Sequence, residues 1–146
     1  MERHSQRVAY GETIVELGAE NPNVVALEAD LGKSTMSTLF QQAYPERYFE
    51  MGIAEADMIS TAAGLAASGK IAFCSTFAVF AAGRAYDQIR QTVAIGKLNV
   101  KICGSSSGLS DFGDGSTHQA VEDVAIMTAI PNLTVFTPAD ADEVRL

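Results

Sequence analysis

Short β-branched apolar runs alternate along this chain with longer stretches of helical period. Residues 5–20 have helical character and lead into Val24-Val-Ala-Leu-Glu-Ala29, which reads as a strand. Ser34 to Ala43 reads as a helix that Tyr44-Pro45 ends, because a residue before proline is pushed out of the helical region. A short strand follows over Tyr48–Met51, then a helix from Ala54 to Ser68 closed by Gly69. Ile71–Thr76 is the next strand. Residues 79–95 form the longest predicted helix, with Tyr86, Ile89 and Val93 on one face. Val100–Cys103 reads as a strand opening into a glycine- and serine-rich loop through Thr117. A helix over Gln119–Ala129, a strand over Leu133–Phe136 and a helix after Pro138 complete the pattern.

Alternation of this kind predicts an α/β fold, an open, mostly parallel sheet with helices on both faces. Ligands of such sheets gather at the carboxyl ends of the strands. Four loops leave those ends here: 30–34, 52–55, 76–80 and 104–118. With 146 residues the chain is read as a single domain over 1–146. The last helical pattern runs for about one turn, as in a domain cut from something longer, so a further carboxy-terminal domain is expected beyond it.

Composition narrows the partners. Apolar residues make up 47% of the chain and prolines number 4, which is the balance of a globular domain. A formal charge of −8 with scattered Lys and Arg excludes nucleic acid and anionic membrane as expected partners, since phosphate binding needs a basic stripe. The start has no apolar run behind it and no stretch reaches membrane-spanning length, so the expected compartment is the cytoplasm. Cys74 and Cys103, both in strand-like segments, are read as buried reduced thiols.

Two apparent motifs fail on their spacing. Gly32-Lys33-Ser34-Thr35 lacks the glycine a phosphate loop needs five residues earlier, where Leu27 stands. Asp111-Phe112-Gly113 has nothing else of a kinase around it. Neither histidine stands in ligand spacing with cysteines or acids, so no metal site is expected wholly within this chain.

Three segments carry chemistry. In Gly52-Ile-Ala-Glu55 a carboxylate opens a helix. The macrodipole alone favours an acid there, while the small and apolar neighbours at 54, 56, 58, 59 and 62 suit a carboxyl that exchanges protons with a ligand. Phe77 and Phe80 sit at a strand-to-helix corner, placed either for core packing or to stack on a flat ring. Gly113-Asp114-Gly-Ser-Thr-His118-Gln119 reads either as a turn with an N-cap from Ser116 or Thr117, or as a hydrogen-bonding pair, Asp114 and His118, that reads hydroxyl and carbonyl groups.

Together these segments resemble the pyrimidine-binding domain of transketolases. The resemblance spans roughly Arg7 to Arg145 and rests on Gly-Ile-x-Glu at 52–55, Thr-Phe-x-x-Phe at 76–80, Asp-Gly-x-x-His-Gln at 114–119, Ile-Pro-Asn at 130–132 and Pro-Ala-Asp at 138–140. It is strongest to the amino-terminal part of the carboxy-terminal subunit of split, two-chain transketolases. It implies a transferase using thiamine diphosphate to move a two-carbon ketol unit between sugar phosphates of pentose phosphate metabolism. Glu55 would hold N1′ of the aminopyrimidine, so that the 4′-nitrogen takes the thiazolium C2 proton. Phe77 and Phe80 would form the pyrimidine pocket, His118 and Asp114 would face the substrate, and Arg7 would match a sugar-phosphate arginine. Magnesium and the diphosphate would be bound by an amino-terminal partner subunit in a dimer or heterotetramer, leaving this chain inert alone. Arg84-Ala-Tyr-Asp-Gln88 is shared with deoxyxylulose-phosphate synthases, so the corresponding part of such an enzyme or of a 2-oxoacid dehydrogenase β subunit is the alternative. A non-catalytic interaction module of the same fold is another. Two departures from the commoner pattern bear on the sugar acceptor: Ser106 stands where many relatives have histidine, and Phe112-Gly113 precedes Asp114 where Gly-Glu is usual.

Overall fold

The computed structural model describes residues 5–146. Four strands form one sheet: β1 (Val24–Glu28), β2 (Tyr48–Glu50), β3 (Ile71–Phe77) and β4 (Val100–Ser105). Their order is β2-β1-β3-β4 and every pairing is parallel. Ala26 lies beside Tyr48 on one flank and Phe73 on the other, so β1 is central and its five residues are all buried. This is the predicted parallel α/β architecture.

The sheet divides two cores by strand alternation. Val25 and Leu27 of β1 and Ala72 and Cys74 of β3 face one cluster, together with Met58, Ile59, Ala62, Ile89 and Val93. Val24 and Ala26 face the other, with Tyr10, Ile14, Phe40 and Tyr48. The two cysteines are separated by the same alternation. Cys74 is buried in the first cluster and Cys103 packs against the second, so both are free thiols on opposite faces.

The helices α1 (Gln6–Glu20), α2 (Gly32–Thr35) and α3 (Thr38–Ala43) cover the second core. α1 approaches α3 through a glycine: a Cβ at Gly18 would lie 2.7 Å from the Phe40 ring and 2.8 Å from that of Tyr44. On the other face α4 (Glu55–Ala67) packs beside a segmented helix, α5 (Ala78–Arg84), α6 (Tyr86–Gln88) and a π-helical stretch over Ile89–Ala94. α7 (Asp123–Thr128) and α8 (Ala141–Arg145) follow.

Several predicted elements change. The helix expected over 34–43 breaks at Met36, whose backbone is left-handed at φ 66°. The helix expected over 79–95 is interrupted at Ala85, although Tyr86, Ile89 and Val93 all pack on the first core, on one face as predicted. The helix expected from Gln119 starts at Asp123, because the Ala120 and Gly108 backbones exchange hydrogen bonds of 3.0 and 2.7 Å. Leu133–Phe136 is not a strand. Leu133 packs on the first core, but the chain turns at Asn132 (φ 68°) and Phe136 is 81% exposed, so the alternation finds no strand to pair with.

A buried acid runs against the apolar pattern of β1. Glu28 is fully enclosed and accepts hydrogen bonds from Ser37 (2.5 Å), Thr35 (2.7 Å) and the Ala29 N–H (3.1 Å). Burial raises its carboxyl above the ordinary value, against the lowering effect of those donors. A carboxyl whose folded pKa is raised contributes stability below its unfolded pKa and loses it as pH rises through the folded value. Urea midpoints should therefore fall as pH climbs from the ordinary carboxylate range through the raised value of Glu28. Glu28→Gln should flatten that slope, and an unchanged slope would refute the assignment.

Candidate active site

All four strands end on the same edge, and the chain reverses its direction of travel across the sheet around β1. Strand order places β2 on one side of it and β3 and β4 on the other. Such a switch point splays the loops that follow neighbouring strands and leaves a crevice. The crevice here is a cleft of about 170 Å³ lined by Ala29, Asp30 and Leu31 after β1, Ile53 and Glu55 after β2, Phe80 and Arg84 after β3, and His118 after β4. Each of the four loops singled out from the pattern lies beside or within this lining.

Glu55 is the first residue of α4. Gly52 supplies the turn before it with a left-handed backbone at φ 67°; a Cβ there would meet nothing within 4 Å, so conformation rather than room requires the glycine. The Met58 N–H donates to the Ala54 carbonyl at 2.9 Å and starts the helix. Glu55 is 4% exposed, whereas Asp57 in the same turn is exposed. Only one of the two first-turn carboxylates is thus enclosed at the cleft.

Phe77 is buried at the end of β3 and Phe80 lies in the first turn of α5. Their rings are 6.2 Å apart and nearly parallel, 16° between planes. His118 presents its edge to both, at 6.1 Å from Phe77 and 5.2 Å from Phe80. The Arg84 guanidinium sits 5.6 Å from the centre of the Phe80 ring. An aromatic wall with a carboxyl, an imidazole and a guanidinium around it suits a flat, nitrogen-bearing ring with polar substituents.

The structure brings Glu55, Phe80 and His118 to one cleft, with Phe77 behind them. It does not pair Asp114 with His118. The His118 Nδ1 is 2.9 Å from the Thr117 hydroxyl, and Asp114 is exposed at the start of the short 3₁₀ turn Gly115–Thr117. The helix that Ser116 or Thr117 was expected to cap begins instead at Asp123, with Glu122 before it and no side-chain cap, so that N-cap is absent too. The spacing of four residues would bring Asp114 and His118 together on a continuous helix, and the single 3₁₀ turn does not continue. Arg7 lies outside the cleft. It donates to the Ser34 carbonyl at 3.4 Å, beside a neighbouring groove of about 340 Å³ that shares Asp30 and Leu31 with the cleft. Ser106 takes a left-handed backbone at φ 56° in the turn after β4.

Asp30, Ile53 and Arg84 line the cleft although the pattern does not single them out as site residues. Asp30 lies in the 30–34 loop, where an acid directly after a buried strand marks the strand's carboxyl end. Ile53, 76% exposed at the rim, was hidden inside the Gly-Ile-x-Glu run.

The fold and the cleft define an α/β domain with a crevice at the switch point of a parallel sheet. The chain belongs to the transketolase pyrimidine-binding domain family, whose description matches residues 3–145. It is 52% identical over 134 residues to a putative transketolase C-terminal section of Methanocaldococcus jannaschii, covering 92% of this chain and 42% of that one. A 6-deoxy-6-sulfo-D-fructose transketolase subunit of a Clostridium species is 42% identical over 145 residues, 99% of this chain and 45% of its own. Among solved structures, a split-gene transketolase described as an inactive beta4 tetramer superposes with a TM-score of 0.85 at 52% identity, over 99% of this chain and 46% of that one. The chain thus spans less than half the length of these relatives. No helix among the described residues is long and apolar enough to cross a membrane.

Proposed function

We propose that this chain is the pyrimidine-binding half of a split, thiamine-diphosphate-dependent transketolase that transfers a two-carbon ketol unit between sugar phosphates. The observation that carries this reading is the convergence of Glu55, Phe80 and His118, from three separate loops, on one cleft. The residues fit the cofactor's aminopyrimidine: an enclosed carboxyl for a ring nitrogen and an aromatic wall for the ring face. When bound, the cofactor supplies a carbon nucleophile that accepts the ketol unit.

The work of this chain's own residues follows from their placement. Glu55 holds a proton against the ring nitrogen, in a recess where water does not compete for it. Phe80, backed by Phe77, keeps the ring in its plane. His118 lines the cleft with no hydrogen-bond partner for its Nε2 among the described residues, and is assigned to donate to a substrate oxygen. Arg7, at the adjoining groove, is the candidate for the sugar phosphate, and Asp114 is carried on the same loop as His118 for a substrate hydroxyl. The diphosphate and magnesium belong to an amino-terminal partner subunit, with which this chain forms a dimer or heterotetramer. Relatives more than twice as long as this chain support a further carboxy-terminal domain, which together with a cytoplasmic location completes the proposal.

The test is a donor comparison on the complex of this chain with the amino-terminal chain that carries the diphosphate motif. Transfer from a phosphorylated ketose to an aldose is expected. Condensation of pyruvate with glyceraldehyde 3-phosphate in its place would support the deoxyxylulose-phosphate synthase alternative and overturn this one.

A further inference from the structure

A single carboxylate oxygen outside the cleft ties together the two turns that build it. Glu50 ends β2, opposite Glu28 of β1 in the sheet register. Its Oε1 accepts the Asp30 N–H at 2.8 Å and the Gly52 N–H at 3.1 Å, and its Oε2 is 3.5 Å from the Tyr48 hydroxyl. Both donor residues have left-handed backbones, Asp30 at φ 62° and Gly52 at φ 67°. The residues after each donor line the cleft: Leu31 on one side, Ile53 and Glu55 on the other.

The left-handed region is costly for a residue with a side chain, and Asp30 is not a glycine. The hydrogen bond from its N–H to the Glu50 oxygen offsets that cost. The same oxygen fixes Gly52, which has no side chain of its own to limit its backbone. Without Glu50 the two turns remain joined by the ladder, whose last bond runs from the Met51 N–H to the Glu28 carbonyl at 2.8 Å, but no other side chain among the described residues links them.

We infer that Glu50 is a positioning residue: by holding the Asp30 and Gly52 turns on one oxygen, it sets the Glu55 carboxyl against the opposite wall of the cleft. Its catalytic consequence rests on the reading of Glu55 given above. Glu50 is itself exposed and packs in neither core, so its removal leaves both clusters intact. Such an arrangement is sensitive to small displacements, because a shift of about 1 Å at a reacting group costs on the order of 100-fold in rate.

The experiment uses the complex with the amino-terminal chain and four variants: Glu50→Ala, Glu50→Asp, Glu50→Gln and, alongside, Glu55→Gln. Amide deuterium uptake is measured over residues 29–37 and 50–56 without cofactor, and C2 proton exchange of bound thiamine diphosphate is measured at saturation. Glu50→Ala and the shorter Glu50→Asp should increase uptake in both segments and slow C2 exchange about 10- to 100-fold. Glu50→Gln, which keeps an acceptor at the same reach, should stay near the parent on both measures. If Glu50→Ala does not assemble, Glu50→Asp carries the same comparison. Parent-level uptake and exchange in the truncated variants overturn the inference. If Glu55→Gln exchanges at the parent rate, the role of Glu55 fails instead; uptake alone then decides whether Glu50 holds the turns, and unchanged uptake overturns that as well.

Discussion

Glu55→Gln should slow C2 proton exchange of bound thiamine diphosphate by about 100- to 10,000-fold in the assembled enzyme, the range typical of losing a positioned acid or base. The amide is nearly isosteric with the acid. It keeps the first position of α4 and the same enclosed space, so the thermal midpoint should change little. What the amide lacks is a proton it can share with a ring nitrogen. Asp57→Asn supplies the internal control. Asp57 sits in the same first turn and feels the same helix dipole, but it is exposed. If the acid at 55 were present only to complement the dipole, the two substitutions would have similar small effects on stability and none on exchange. A large loss at 55 with none at 57 distinguishes the two explanations. Equal exchange in both variants would remove Glu55 from the chemistry.

The central strand was legible because it is buried on both faces and reads as a compact apolar run, whereas the edge strands are only partly covered. Val24 to Leu27 is such a run, and the structure buries each of its residues. Leu133–Phe136 has the same kind of alternation and no pairing partner. A period of two describes a segment's own faces, whereas a strand also needs a neighbour's backbone groups. The helix breaks at Met36 and Ala85 were hidden for a related reason. Neither position carries glycine or proline, and the left-handed backbone at Met36 arises where α2 turns into α3 beneath α1. A Cβ at Gly11 of α1 would come within 2.6 Å of the Met36 carbonyl oxygen, so the break and the close helix approach occur together.

The site was more legible than its supports. Glu55, the phenylalanines and His118 are chemically distinctive types at loop positions, and the structure gathers Glu55, Phe80 and His118 while placing Phe77 against them. Asp114 looked equally distinctive, but pairing it with His118 assumed a helical turn that the loop does not make. Glu28 and Glu50 do not stand out in the sequence, because an acid at a strand end resembles a solvated residue. Their roles depend on which amides and hydroxyls the fold brings to them, and these lie 1 to 9 residues away for Glu28 and 2 to 20 for Glu50. Local pattern carries no trace of such partners.

The isolated chain should bind thiamine diphosphate at least about 1,000-fold more weakly than the complex, a difference of roughly 4 kcal/mol. Sites that enclose a ligand of this size usually span about 300–1,000 Å³. The cleft here is about 170 Å³ and is bounded on its rim by Ile53, 76% exposed. It has depth for one ring and no walls for the rest. Its only cationic side chain, Arg84, is engaged with the face of Phe80, which leaves a diphosphate without a dedicated partner in this lining. Among the described residues no three His, Cys, Asp or Glu side chains gather to hold a metal ion. The energy that comes from the diphosphate and its magnesium is therefore expected only when a second chain closes over the cleft. Fluorescence titration of the chain alone, of the partner alone and of the mixture measures this directly. The mixture should bind with the tightest constant and be the only sample to transfer a ketol unit. Equal affinity in the isolated chain would mean that the site is complete without a partner, and the two-chain reading would have to be abandoned.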